Sequence, residues 1–387
     1  MNRAEQRRQQ KRAERAARRA KKGQPANQGP VHQAHEIQQG LQLAVQHHSE
    51  GRLKEAESIY RQILQAVPDH PVAMQFLGVI AHQAGQFDAA VELLTKTIAI
   101  RPDYAEAHNN LGLALRKLGR FDEAVASYRQ AIALKPDADS FYNLGNAHFD
   151  LGQLDEAVSN YQKALTLQPS PDGYNDLGAL LQRSGCLDDA VSCYQQSIKL
   201  APDYAVSYVM LGSVLYQQKK LDEALASVRQ SLALKPDYAE AHYNLGLVYF
   251  KLEDKDKAAE CFRSAINLKP EYAEAFNDLG NILHEFGKAD EAIECYNKAL
   301  IIQPDYVDAL CNCGNSFYDL GQMDDSAACY HRAIEIDPQS GDAKYGLGAA
   351  LLACGRHEEG LRYQRSGFGV IEFKNDNSAK FAIHGGS

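Results

Sequence analysis

Small and apolar residues recur at helical spacing along most of the chain, in paired runs parted by a turn and closed by a proline. Residues 273–306 show the unit. Leu279 and Gly280 belong to a first helix, Gly287 to the turn, Ala292, Tyr296 and Ala299 to a second helix, and Pro304 ends it. One repeat earlier, the same frame holds Leu245, Gly246, Ala258, Phe262, Ala265 and Pro270. One repeat later it holds Cys313, Gly314, Ser326, Tyr330, Ala333 and Pro338. Such a period makes the chain a quasi-one-dimensional array of helix pairs rather than a set of globular domains.

Each position in the frame has a physical reason. Small residues at positions 8 and 20, Gly280 and Ala292, let the two helices approach closely. Glycine at 15 provides the left-handed backbone of the turn. Aspartate at 18 (Asp122, Asp222, Asp290) complements the dipole of the second helix, and proline at 32 stops it. The frame sets repeats at 37–70, 71–104, 105–137, 138–170, 171–204, 205–238, 239–272, 273–306, 307–340 and 341–366. In 239–272, Glu253 replaces the glycine at 15, which predicts a looser turn there.

These residues, repeated in some ten copies, resemble the tetratricopeptide repeat (TPR) over residues 37–366. The tryptophan usual at position 4 of that family is replaced by Met74, His108, Phe141, Tyr174, Tyr208, His242, Phe276 and Leu310. The resemblance implies an all-α fold, a right-handed superhelical solenoid whose concave wall is built by the first helix of each pair. It also implies a protein-interaction scaffold or adaptor.

Charge is unevenly divided. Residues 1–22 hold ten Lys/Arg and two Glu, net +8, against −9 for the whole chain. They are expected to form a basic, solvated and disordered arm, a contact for an anionic partner, followed by a Gly/Pro linker over 23–36. Residues 367–387 form a tail outside the frame, with Phe368, Val370, Ile371 and Phe373 as a short apolar segment that could cover the last helix pair. No apolar run approaches the length of a transmembrane helix, and no apolar core follows the basic start as in a signal peptide. A cytoplasmic location is the expectation.

Catalytic signatures are missing. His35-Glu36, His284-Glu285 and His357-Glu358 lack the second histidine of a zinc protease helix, and neither a phosphate loop nor a nucleophile elbow occurs. Too few residues flank the array for a catalytic domain, so no enzyme, cofactor or metal is expected. Cys193, Cys261, Cys295 and Cys329 share one frame position and read as small core residues, with reduced thiols. His108 and His242 also share one position and read as packed histidines.

The binding signal lies in the first helices. Position 6 reads Asn110, Asn143, Asp176, Met210, Asn244, Asp278 and Asn312, one column beside the core leucine at 7. Positions 5 and 9 add Asn109, Asn175 and Asn277, then Asn146, Asn281 and Asn315. An amide offers one acceptor and two donors, so such a row can hold an extended peptide backbone without demanding a sequence. In the family this column faces the groove. The repeats are similar to the TPR superhelix of O-linked GlcNAc transferase, here without a catalytic domain. Position 2 forms an acidic column, Glu106, Asp139, Asp172, Glu240, Glu274, Asp308 and Asp342. Dipole compensation explains it, and so does a preference for basic or uncharged ligands. The lysines and arginines of carboxylate-binding TPR grooves are absent from these positions. Two other readings stand beside a peptide-binding scaffold. One is a substrate-recognition partner of a separately encoded glycosyltransferase-like enzyme. The other is nucleic-acid or anionic-surface association through the arm.

Overall fold

The structure, a computed structural model, describes residues 30–367. The expectations for the arm 1–22, the linker residues 23–29 and the tail residues 368–387 lie outside the described residues. Among the described residues there are twenty α-helices and no strand. They divide into two compact units, residues 30–169 and 170–367.

The first unit holds α1 (Pro30–Ser49), α2 (Leu53–Ala66), α3 (Pro71–Gln83), α4 (Phe87–Ile100), α5 (Ala105–Lys117), α6 (Phe121–Leu134), α7 (Ala138–Asp150) and α8 (Leu154–Leu167). The second begins with α9 (Pro171–Arg183), α10 (Leu187–Leu200), α11 (Ala205–Gln217), α12 (Leu221–Leu234), α13 (Ala239–Lys251) and α14 (Lys255–Leu268). It continues with α15 (Ala273–Glu285), α16 (Ala289–Ile302), α17 (Val307–Asp319), α18 (Met323–Ile336), α19 (Gly341–Ala353) and α20 (His357–Gly367). Residues 30–36, expected to end the linker, instead form the first two turns of α1. Proline is favoured at such a start because its missing N–H would have no helical partner there.

Within each unit, odd- and even-numbered helices form helix-turn-helix pairs that stack on the next pair. Odd-numbered helices of successive pairs also touch, as α5 does α7 and α15 does α17. Such contacts run through α3, α5 and α7 in the first unit, and through α9, α11 and α13 and again through α15, α17 and α19 in the second.

The turn inside each pair closes through a left-handed residue. Gly287 has φ +73°, and the Lys288 N–H donates to Leu283 O at 2.9 Å. The looser turn expected at Glu253 does not occur. Glu253 takes φ +62°, and the Asp254 N–H still reaches Tyr249 O at 3.0 Å. Lys219, also at φ +62°, does the same in α11–α12. Two closing hydrogen bonds and the packed pair hold a conformation that costs a residue with a Cβ roughly 1–2 kcal/mol.

Position 8 is glycine in every repeat but 37–70, where it is Ala44, for a sharper reason than general closeness. A Cβ built on Gly280 would lie 2.5 Å from the Tyr296 ring, and one on Gly112 would lie 2.5 Å from the Tyr128 ring. The aromatic at position 24 is thus pressed against bare backbone. Tyr60, Tyr128, Tyr194, Phe262 and Tyr296 are all fully buried there. Each such burial stabilises by about 1.5–3 kcal/mol. The rings tie pairs into a continuous core; in the second unit Phe262, Leu279, Ile282, Ala292 and Tyr296 form one cluster.

Cys193 and Cys295 are buried, and Cys261 and Cys329 half-buried, along the even-numbered helices. Cys311 and Cys313 are buried in α17, while Cys186 and Cys354 are exposed. His108 and His242 do more than pack. Their Nε2–H groups donate at 2.9 Å to the carbonyls of Pro102 and Pro236, joining each helix start to the end of the preceding repeat. No described helix is long and apolar enough to cross a membrane.

Candidate ligand-binding groove

The amide column is organised by hydrogen bonds between its own members. In the first unit the Asn143 Nδ2 donates to Asn109 Oδ1 at 3.1 Å, linking α7 to α5. In the second, the Asn312 Nδ2 donates to Asn277 Oδ1 at 3.0 Å, linking α17 to α15. In both pairs position 5 accepts from position 6 of the next repeat. The column is not a row of free amides, because Asn277 is only 4% exposed and a buried amide must find partners. Asn175 is buried likewise and donates to Ser207 Oγ at 3.0 Å.

Position 9 has its own partner. Tyr161 donates to Asn146 Oδ1 at 2.7 Å, Tyr296 to Asn281 at 2.9 Å, and Tyr330 to Asn315 at 2.6 Å. Each asparagine at 9 is matched by a tyrosine at 24 in its own repeat. With Val45 and Leu113 at position 9, the Tyr60 and Tyr128 hydroxyls are buried without a partner, whereas beside Ala179 the Tyr194 hydroxyl donates to Gln182 Oε1 at 3.0 Å instead. The co-occurrence of these two residue types was readable in the sequence, but only by comparing both helices of one repeat.

The remaining column members differ. The Asn244 Nδ2 turns back to Glu240 O at 2.8 Å on its own helix. Asp176 is exposed on α9, and Asn110 is half-buried on α5. Asp278 accepts from Asn277 Nδ2 at 3.2 Å and from the Tyr243 hydroxyl at 2.9 Å. Burial raises its carboxyl above the ordinary aspartate range, and nearby Glu274 and Asp308 add to this, against the two hydrogen bonds.

Five of the expected residues come together. Asn277, Asp278, Asn281, Asn312 and Asn315 line a concavity of about 690 Å³ on α15, α17 and α19. Its other walls include Tyr306, Tyr318, Tyr330 and Tyr345, and Asp308 and Asp342 from the first turns of α17 and α19. Asn109, Asn110, Asn143 and Asn146 lie in the first unit and are not among the residues that line this concavity. Burial, then Asp278, Asp308 and Glu274, push the Tyr306 hydroxyl up to about 12. Burial, then Asp308 and Asp342, push the Cys311 thiol up to about 12. A smaller recess of about 200 Å³ beside it is lined by Phe250, His284 and Glu285 along with Asn281, Asn312 and Asn315. No cluster of His, Cys, Asp or Glu suited to a metal ion exists among the described residues.

Family models agree with this architecture. Tetratricopeptide repeat models match residues 36–103, 77–139 and 109–174. The model described as the cilia and flagella-associated protein 70 C-terminal domain matches residues 171–366. The chain belongs to the tetratricopeptide repeat family. Helix pairs at the TPR period, from α1 to α20, are the structural counterpart of those matches. This TPR protein is accordingly of the protein-interaction scaffold class. No curated protein matched the chain.

Among solved structures, the APC/C hetero-tetramer Cut9-Hcn1 is similar with a TM-score of 0.53 and 18% identity, over 78% of this chain and 60% of that one. YrrB, described as a TPR protein with an unusual peptide-binding site, is 27% identical over 48% of this chain and 96% of its own, with a TM-score of 0.41. MamA is 27% identical over 44% of this chain and 93% of its own, with a TM-score of 0.38.

Proposed function

We propose that this TPR protein binds an extended polypeptide segment along α15, α17 and α19. The observation that carries the reading is the concavity in which tyrosine hydroxyls hold asparagine amides in place. With Oδ1 of Asn281 and Asn315 occupied by Tyr296 and Tyr330, each amide nitrogen has no partner among the described residues. Successive carbonyls of an extended chain fit such donors. Pre-set amides lose little rotamer freedom on binding, which favours affinity. Each contact contributes about 0.5–1.5 kcal/mol, so capture depends on several acting together.

The roles divide. Asn277 and Asn312 clasp neighbouring repeats and set their spacing, whereas Asn281 and Asn315 meet the ligand. Combined replacement of Asn281 and Asn315 by alanine tests this. Against a library of labelled extended peptides read by fluorescence polarisation, the protein should select binders and the double variant should lose about tenfold in affinity. Unchanged affinity in a variant of normal helicity would contradict the reading.

A further inference from the structure

The acidic column at position 2 is not alike in all repeats. Glu106 is met by Lys135 Nζ at 3.1 Å, and Glu240 by Lys269 Nζ at 3.4 Å. Both lysines stand at position 31, where the second helix ends and its chain passes the start of the first. In 273–306 that position is Gln303, and in 307–340 it is Asp337. Glu274 and Asp308 accordingly have no ion-pair partner among the described residues, and neither has Asp342. Asp139 and Asp172, opposite Gln168 and Ala201, are also without one, but only Asp308 and Asp342 of this column line the concavity. The same stretch holds the half-buried Asp278 of position 6. No Lys, Arg or His is among the residues that line the concavity.

Negative charge here is thus uncompensated, and it is combined with aromatic walls. Tyr306, Tyr318 and Tyr345 stand in the same concavity as Asp308 and Asp342. A cationic side chain gains from both, through charge-assisted hydrogen bonds to carboxylate and through the electron-rich ring face. Tyrosines and lysines in this protein already meet that way: Lys235 and Lys269 lie 4.8 and 4.4 Å from the ring centroids of Tyr238 and Tyr272. A carboxylate-bearing ligand would meet repulsion instead.

We propose that the concavity on α15, α17 and α19 selects peptide segments bearing arginine or lysine, whose cation takes the place that Lys135 and Lys269 fill in other repeats. The inference rests on the peptide-binding reading above and adds the chemistry of the residue recognised. Asn281 and Asn315 hold the backbone, while Asp308, Asp342 and the tyrosines hold the cation.

The test uses the full chain and two labelled peptides, one alternating glycine with arginine and one alternating glycine with citrulline. Citrulline keeps the shape of arginine and loses its charge. The arginine peptide is expected to bind about tenfold or more tightly than the citrulline peptide, with a preference that shrinks as salt rises. Asp308→Asn with Asp342→Asn should remove most of that preference. Asp337→Lys, exposed just after α18, should weaken the arginine peptide alone by supplying Asp308 with an internal cation. Equal affinity for the two peptides, or a preference that survives all three substitutions, overturns the proposal. If the citrulline peptide binds equally well and is lost only in the Asn281/Asn315 double variant, backbone capture stands and cation selection falls. If neither peptide binds, both fall.

Discussion

Residues 105–150 and 273–349 carry the same amide clasp in different surroundings. Asn143 donates to Asn109 and Asn312 to Asn277 at nearly the same distance, 3.1 and 3.0 Å. In the first region, Glu106 is neutralised by Lys135, and the Arg116 guanidinium pairs with Asp150. In the second, Glu274 has only Gln303 at the matching place, Asp278 replaces Asn110, and His284 faces Asp319 at 2.9 Å. The clasp therefore belongs to the scaffold, while the ligand chemistry is set by the charges placed around it. An asparagine column taken alone cannot separate the two regions.

If the scaffold is common, damaging it should cost the same in both. Gly112→Ala and Gly280→Ala each force a Cβ to 2.5 Å from a fully buried tyrosine ring. Each is expected to destabilise by about 1–3 kcal/mol, measured as a shift of the urea midpoint. A large cost at one site and none at the other would break the assumption of a shared scaffold.

The tyrosine hydroxyls sharpen the comparison, since the two regions should respond with different signs. Tyr296→Phe removes the bond that fixes Asn281 and should cost about 0.5–1.5 kcal/mol. Tyr128→Phe removes a buried hydroxyl that has no partner, and should be neutral or stabilising. Thermal unfolding of both variants reads the difference, and equal losses would contradict the pairing rule between positions 9 and 24.

Much of this was legible in the sequence, for identifiable reasons. Close packing leaves a strict period, so Gly280, Ala292 and Pro304 announced the helix pairs. The asparagines at 5, 6 and 9 stood out as polar residues that the core does not need. What stayed hidden ran between columns rather than along them. The partnership of Tyr296 with Asn281, and of Lys135 with Glu106, joins positions on different helices, which come together only once the pair has folded. The left-handed turns at Lys219 and Glu253 were hidden because the closing hydrogen bonds of the folded pair, not local preference, hold them.

The smallest effect concerns Asp278. Because burial raises its carboxyl, the folded chain holds that proton more tightly than the unfolded chain. Its stabilising contribution is full below the ordinary aspartate range and is lost as pH rises through the raised value. Asp278→Asn does not ionise there and is expected to lift the urea midpoint at neutral pH, with the gain fading in acid. Asn110→Asp, the reverse exchange at the matching place in the first region, should lower it. A pH-independent effect in the first variant would show that desolvation of Asp278 does not govern this wall.

The central claim, that α15, α17 and α19 form the ligand-bearing wall, is tested most directly by photo-crosslinking. A glycine–arginine peptide with one benzoylphenylalanine would be irradiated with the full chain, and the adducts mapped by mass spectrometry. The account predicts adducts within residues 273–349, competed by the unlabelled arginine peptide but not by the citrulline form. Adducts spread along the chain, or concentrated in residues 105–150, would contradict it.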